Sequence, residues 1–372
     1  MSLDILVEMS NRYGGDEEFV LAGGGNTSFK EDGVLFVKGS GVQLADIRLE
    51  QFVKMDMEKL LDMVRCKYPA DMSNSEREEK ALADMMDARL PGEEAKRPSV
   101  ESILHAMFPY KLVLHVHPPL INGLTCGIDG EALCNNLFGD KAVWIGLTKP
   151  GFVLAQACSK EFKNYKEKFG HYPQIVILQN HGIFVAADTV EEIDNLMAYV
   201  VDKLQSYVSE VPSFEVLAFT YDKDLLQSIK SQLKSLYSRN EEAAVLFSFN
   251  KQVKQFVKDI ESFKPISKPF SPDHIVNCKD EPLFIASGDD IEAAFNEYLE
   301  KKGYKPKIVA LQGVGFFALG ENRKSAERAE ALFLDAMKIA TYAKSFGGVN
   351  PLNDELTDFI LNWEAEAYRS KA

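Results

Sequence analysis

Apolar and polar positions alternate along this chain in two rhythms, one with the period of a helix and one with the period of a strand. The first segment reads as a helix. A Gly-rich turn follows (LAGGGNTSFK, 21–30), then a tight turn at Glu31-Asp32-Gly33 and a second strand, VLFVKGSG. Residues 71–97 are dense in charge and predict a solvated helix and a loop. PSVESILHAMFP predicts a helix start, with Pro98 ahead of it, Ser99 as N-cap and apolar positions 103, 104, 107 and 108 on one face. KLVLHVHP is a strand stopped by Pro118-Pro119, and KAVWIGL is a short strand. PQIVILQNHGIFVAA forms two strands around a turn at Asn180-His181-Gly182. Residues 188–210 predict a helix in which Thr189 caps and Glu192 stands three positions on.

The second half opens somewhere in 211–225. It reads as helical through 222–262, breaks at the Pro-rich 264–272, continues as an α/β stretch and ends in helices. A chain of 372 residues is long for one core, so two domains are expected, 1–215 and 216–372. Residues 173–184 (PQIVILQNHGIF) line up with 306–317 (PKIVALQGVGFF) at a constant offset of 133. Burial accounts for the shared aliphatic residues but does not demand the shared Gln and Gly. We therefore read the second domain as a degenerate copy of part of the first, in which Val314 replaces His181.

The repeat draws attention to histidine. His115 and His117 are two apart in a strand-like run, so both rings leave the same face of the strand. Imidazole is the commonest metal ligand, and three protein ligands with one open position is the catalytic zinc pattern. The pair alone fits either a metal site or two satisfied core histidines. His181, at a turn between two apolar runs, supplies a third ligand, although a turn histidine of unusual φ has the same signature. Glu101 lies in the first turn of a helix, where the dipole favours a carboxylate with or without a function. Beside a dication it is a general base. His105 follows Glu101 by four and either orients it or packs beside it. His171 reads as a surface residue, and His274 as a loop residue with a capping or hydrogen-bonding role. GGGNTS (23–28), KGSG (38–41) and the amides around Ser99 are anion-cradling candidates, with Lys38 as a charge; each alone is equally a tight turn.

Bulk properties narrow the setting. The chain is 46% hydrophobic and 26% charged, with a formal charge of −14, which disfavours the phosphate backbone of a nucleic acid as partner. No run approaches the ~18–20 apolar residues of a membrane helix, and the N-terminus lacks the pattern of a secretory signal. The five cysteines (66, 126, 134, 158, 278) are odd in number and never form CxxC, as expected of buried thiols in a cytoplasmic protein.

Taken in order, Gly25-Asn26-Thr27-Ser28, Val37-Lys38-Gly39-Ser40-Gly41, Pro98-Ser99-Val100-Glu101, His115-Val116-His117-Pro118 and Asn180-His181-Gly182 resemble the class II aldolase/adducin family over about residues 1–210. The resemblance implies a three-layer α/β/α domain with a mostly antiparallel sheet, followed here by a smaller α/β domain. It implies Zn²⁺, or another dication such as Mn²⁺, on His115, His117 and His181, with Glu101 as the catalytic acid–base. Substrate phosphate is implied near Asn26, Ser40, Gly41 and Ser99, although Val100 stands where many phosphate-binding members have serine. Such enzymes cleave ketose 1-phosphates to dihydroxyacetone phosphate and an aldehyde. Others epimerise or dehydrate related sugars, and adducins are non-catalytic interaction modules. Many are homo-oligomers, often tetramers. The second half is similar to the region after the aldolase module in bifunctional rhamnulose-1-phosphate aldolase/dehydrogenase proteins. With no dinucleotide fingerprint before Ala372, no oxidoreductase activity is expected.

Overall fold

The computed structural model describes residues 3–65, 68–69, 71–217 and 222–363. Cys66, expected as a buried thiol, and the last expected helical residues (364–372) lie outside them. The chain divides into two compact units. Among the described residues, one is built from those up to Thr125 together with Asp129–Tyr207, and the other from Cys126–Ile128 and those from Val208 to Trp363.

In the first unit, seven strands form one sheet: β1 (Asn26–Glu31), β2 (Val34–Lys38), β3 (Phe52–Asp56), β4 (Leu112–Val116), β5 (Ala142–Ile145), β6 (Ile175–Leu178) and β7 (Gly182–Ala187). Their order is β3-β2-β1-β4-β7-β6-β5, and every pairing is antiparallel except β5 with β6. The β1–β2 connection is a two-residue hairpin in which Asp32 and Gly33 both have positive φ, as a type I′ turn requires. The helices are α1 (Asp4–Gly14), α2 (Met57–Arg65), α3 (Asn74–Asp87), α4 (Ser102–Met107), α5 (Pro119–Thr125), α6 (Gly130–Phe138), α7 (Phe152–Phe169) and α8 (Val190–Tyr207). Helices α2, α3, α4 and α7 pack together over one face of the sheet, and α1, α5 and α8 contact the strands from the other. This is the expected three-layer α/β/α arrangement with a mostly antiparallel sheet.

The second unit has a four-stranded sheet, β8 (Ala244–Ser248), β9 (Leu283–Ile285), β10 (Ile308–Leu311) and β11 (Gly315–Gly320), in the order β8-β11-β10-β9. Its helices are α9 (Lys223–Tyr237), α10 (Lys251–Phe256), α11 (Ile260–Phe263), α12 (Pro272–Cys278), α13 (Ile291–Lys302), α14 (Arg323–Ala343) and α15 (Asp354–Asn362). One expectation fails here. The stretch 222–262 is not helical throughout, because β8 interrupts it: AVLFS is a short, β-prone apolar run, and pairing with β11 overrides the helical pattern around it.

The four-stranded sheet reproduces β4-β7-β6-β5 strand for strand, including the single parallel pair. Strands β10 and β11 begin and end 133 residues after β6 and β7, and α14 begins 133 residues after α8. The shared Gln now has a reason. The Gln179 side-chain oxygen accepts from Leu147 N at 2.9 Å, and Gln312 accepts from Ser287 N at 3.1 Å. Each amide splices the turn to the end of the neighbouring parallel strand. The next residue is left-handed in both copies, Asn180 at φ +54° and Gly313 at φ +72°. The unusual φ considered for His181 thus belongs to Asn180, a residue type that tolerates it.

Candidate metal centre and active site

Strand pairing assembles the site. Asn26 on β1 lies directly opposite His115 on β4, and His115 lies opposite Phe184 on β7, so all three project from one face. The Phe184 ring stacks on His115 with centroids 4.0 Å apart and planes 13° off parallel. His117 sits just past β4, where its backbone N–H donates to Phe19 O at 3.2 Å. His181 stands in the β6–β7 turn. Gly182 lets that turn close in, since a Cβ there would meet Val116 O at 2.5 Å and the His117 ring at 2.6 Å. Gly25, at φ +63°, does the same for the incoming loop, since its Cβ would lie 2.8 Å from His115 O.

The three rings converge. Nε2 of His115 lies 2.9 Å from Nε2 of His117 and 3.3 Å from Nε2 of His181. His115 Nδ1 donates to Ile183 O at 2.9 Å, which leaves the Nε2 lone pair facing the cluster. Glu101 completes the group, with Oε2 3.3 Å from His115 Nε2 and Oε1 3.4 Å from His181 Nε2. His115 is fully buried and Glu101 nearly so, whereas His117 and His181 are partly exposed, so the cluster opens on their side. Burial drives His115 well below the ordinary histidine range and keeps it neutral. Burial pushes the Glu101 carboxyl up, but its electrostatic interactions with the surrounding imidazoles, His115 foremost, and the hydrogen bond from the Asn26 amide outweigh it and hold the group at about 2.

This donor set fits a divalent ion. The three histidines can each offer one atom within a shared radius, all within 4.8 Å of one another. Tetrahedral coordination with Zn–N bonds of about 2.0–2.1 Å places nitrogens about 3.3 Å apart, close to the spacing here. Glu101 Oε1 is buried without a hydrogen-bond partner, an arrangement that a nearby cation relieves.

The remaining candidates fall around this centre. Ser99 is not the N-cap of α4; Glu101 is. The Ser99 hydroxyl accepts from Glu101 N at 3.3 Å, and Ser99 N donates to Lys38 O at 3.1 Å. Ser40 N donates to Arg97 O at 2.7 Å, and Gly39 bridges Pro98, so 38–41 and 97–99 form one paired unit. The amides of Ser40 and Ser99, expected to be available to an anion, are therefore engaged with backbone carbonyls. Buried Lys38 donates to Gly23 O at 3.0 Å and Gly25 O at 2.9 Å, so its ammonium holds the glycine loop. Asn26, expected from the resemblance near substrate phosphate, donates to Glu101 Oε2 at 2.7 Å and presents its carbonyl to His105 Nε2. GGGNTS is thus a turn only as far as Gly25; Asn26–Ser28 belong to β1. His171 is exposed as expected. His274 is buried in α12, with Nδ1 2.8 Å from the Ser271 hydroxyl. Sequence reading missed Phe184 and the Asn26–Glu101 contact, because both depend on strand register.

The family model described as "Class II Aldolase and Adducin N-terminal domain" matches residues 5–208. A Bacillus subtilis (strain 168) protein named "Uncharacterized oxidoreductase YuxG" is 23% identical over 410 residues, which cover 98% of this chain. The chain spans 57% of the length of that relative. Among solved structures, the N-terminal class II aldolase domain of a conserved Thermoplasma acidophilum protein is 27% identical. The match covers 56% of this chain and 93% of that one, with a TM-score of 0.47. An L-fuculose-1-phosphate aldolase from Thermus thermophilus is 15% identical over 55% of this chain and 94% of its own, with a TM-score of 0.35. No helix among the described residues is long and apolar enough to cross a membrane.

Proposed function

The chain belongs to the class II aldolase and adducin family, and on that premise we propose that it is a divalent-metal-dependent aldolase cleaving a ketose 1-phosphate to dihydroxyacetone phosphate and an aldehyde. The observation that carries the reading is the buried carboxylate of Glu101, set 3.3 and 3.4 Å from two of three converging imidazoles. His115, His117 and His181 would hold Zn²⁺ or a similar ion such as Mn²⁺. When bound, the ion supplies Lewis acidity toward the substrate carbonyl and its neighbouring hydroxyl. Glu101, ionised at neutral pH, is the base that takes the proton from the carbon next to that carbonyl in the condensation direction and, once protonated, returns a proton to that carbon after cleavage. His115 keeps one tautomer through Ile183 O, so its Nε2 stays a donor atom throughout. Ser40, Gly41 and Ser99 are drawn together by the pairing of 38–41 with 97–99 and would seat the substrate phosphate through the serine hydroxyls, the amides of Ser40 and Ser99 being engaged with carbonyls.

Elemental mass spectrometry on the purified protein, beside His115→Ala and Glu101→Gln, tests this. The expected result is metal in the wild type and in Glu101→Gln, and none in His115→Ala. With ketose 1-phosphates, Glu101→Gln lowers kcat by roughly 10²–10⁴-fold. A three-carbon phosphate trapped by a coupling enzyme separates cleavage from epimerisation or dehydration. A wild-type protein that takes up no metal overturns the proposal in favour of a non-catalytic interaction module.

A further inference from the structure

We propose that Ser28, His105 and Asn26 form a one-directional hydrogen-bond string that ties down Oε2 of Glu101 beside His115 and leaves Oε1, beside His181, as the oxygen without a hydrogen bond, so that Asn26 and His105 are positioning residues for the carboxylate. The proposal rests on the reading of Glu101 as the acid–base group and assigns Asn26 to it rather than to substrate phosphate.

The polarity of the string follows from its far end. An ionised carboxylate only accepts, so the Asn26 side chain must turn its nitrogen to Glu101 Oε2, 2.7 Å away. The Asn26 oxygen then faces His105 Nε2, which must carry a proton to donate to it. His105 Nδ1 is left as an acceptor, and the Ser28 hydroxyl, 2.7 Å away, donates to it. No rotation of one member is tolerated alone. Reversing the Asn26 amide sets its oxygen against the carboxylate and its NH₂ against an N–H. All four residues are buried, His105 and Ser28 completely, so water does not substitute for a missing link. Asn26 and Ser28 are two apart on β1, hence on the same face, and Asn26 sits opposite His115. His105 is one helical turn beyond Glu101 on α4. The i,i+4 spacing brings His105 not to Glu101 itself but to the amide that holds it. The two carboxylate oxygens therefore differ in their hydrogen bonding, though each faces an imidazole: Oε2 accepts from Asn26 and lies 3.3 Å from His115 Nε2, whereas buried Oε1 has no hydrogen-bond partner and lies 3.4 Å from His181 Nε2.

The first measurement is the His105 tautomer in the metal-free wild-type protein, by long-range ¹H–¹⁵N correlation with labelled histidine. The expected form is Nε2–H with Nδ1 unprotonated; an Nδ1–H tautomer overturns the string without reference to any reaction. The second measurement is Zn²⁺ affinity and, for the aldolase reading, kcat and KM in His105→Leu, His105→Gln and Asn26→Asp. Outer-shell losses of this kind cost roughly 10–100-fold in metal affinity or activity. His105→Leu is expected to show that loss in Zn²⁺ affinity and kcat, with KM little changed. His105→Gln restores part of it, because its amide can still donate to Asn26. Asn26→Asp, which sets carboxylate against carboxylate, is the most damaged. If instead Asn26→Asp raises KM and leaves kcat and Zn²⁺ affinity unchanged, Asn26 serves the phosphate and the proposal falls. A wild type with the Nε2–H tautomer and a Zn²⁺ site sensitive to His105, but with no lyase activity, removes the aldolase reading and keeps the string.

Discussion

The β4-β7-β6-β5 sheet of the first unit and the β8-β11-β10-β9 sheet of the second are the same frame with opposite interiors. In the first, His115 on β4 lies across from Phe184; in the second, Phe247 on β8 lies across from Phe317. Phe184 and Phe317 are 133 residues apart, as are the paired strands that carry them. Phe247 therefore stands where His115 does, Phe249 two residues on in place of His117, and Val314 in the turn in place of His181. Phe247 and Val314 pack with Leu233, Phe317 and their neighbours in one apolar cluster. The frame thus folds with hydrocarbon where the first unit has imidazole. Its hydrogen bonds at the turn, Gln179 N to Ile145 O and Gln312 N to Ile285 O at 3.0 Å each, do not involve the histidines. The three histidines of the first unit are consequently expected not to be a requirement of folding. Burying imidazoles beside a carboxylate is costly unless a partner compensates, which points to a ligand as the reason for them.

Transplanting residues between the units tests this comparison most severely. Placing the second unit's residues in the first, His115→Phe with His181→Val, is expected to remove metal binding entirely and activity with it. The far-ultraviolet circular dichroism should stay unchanged, and collapse of the fold would refute the claim that the frame is indifferent to its ligands. The reverse change, Phe247→His with Val314→His, puts imidazoles among apolar neighbours such as Leu233 and Phe317. Because both positions are only partly buried, it should destabilise the second unit by about 1 kcal/mol per ring, read from urea unfolding, and acquire no ion.

A smaller difference should appear in acid. Burial holds His105 at about 3, whereas the unfolded chain binds that proton near 6.5. Between these values the unfolded state carries a proton that the folded state refuses. Stability from this residue is complete above about pH 6.5 and is lost as the pH falls toward 3. His105→Gln should flatten that part of the plot of urea midpoint against pH. The smallest effect is one the units share. Thr189 Oγ1 accepts from Glu192 N at 3.2 Å ahead of α8, and Asn322 Oδ1 accepts from Ser325 N at 2.9 Å ahead of α14, at the same offset of 133. Replacing either with alanine should cost about 1 kcal/mol. Very unequal losses would weaken the case for a common frame.

What could be read from the sequence was local or periodic. The strands around His115 and His181, the Asp32-Gly33 turn and the β6–β7 repeat announce themselves by alternation, turn residues and identity. The Thr189 cap was visible too, although the Glu192 carboxylate reaches back to Asp188 N rather than to Thr189 N. What stayed hidden depends on register. HVHP and FSFN share no residue, so the match of β4 to β8 emerges only when each strand is seen beside its partner. The same holds for Asn26. Its neighbours in sequence suggest an anion loop, but its position across from His115 gives its amide to Glu101. Ser99 sat too early for the α4 cap, because the turn at 100–101 precedes the helix.

The left-handed residue at the head of each turn, with the glutamine beside it, has a consequence for how an ion would be exchanged. The turn that carries His181 is held by its own backbone and by Gln179, and His115 by Ile183 O, so these imidazoles are expected to be in place before any ion arrives. Little ordering entropy is then charged against binding, unlike a zinc finger, whose ligands assemble only as the chain folds. Removal by a chelator should leave a folded vessel rather than an opened one. Different divalent ions offered to it should then compete on intrinsic ligand preference, in the order Mn²⁺ < Co²⁺ < Zn²⁺ that imidazole sites ordinarily follow.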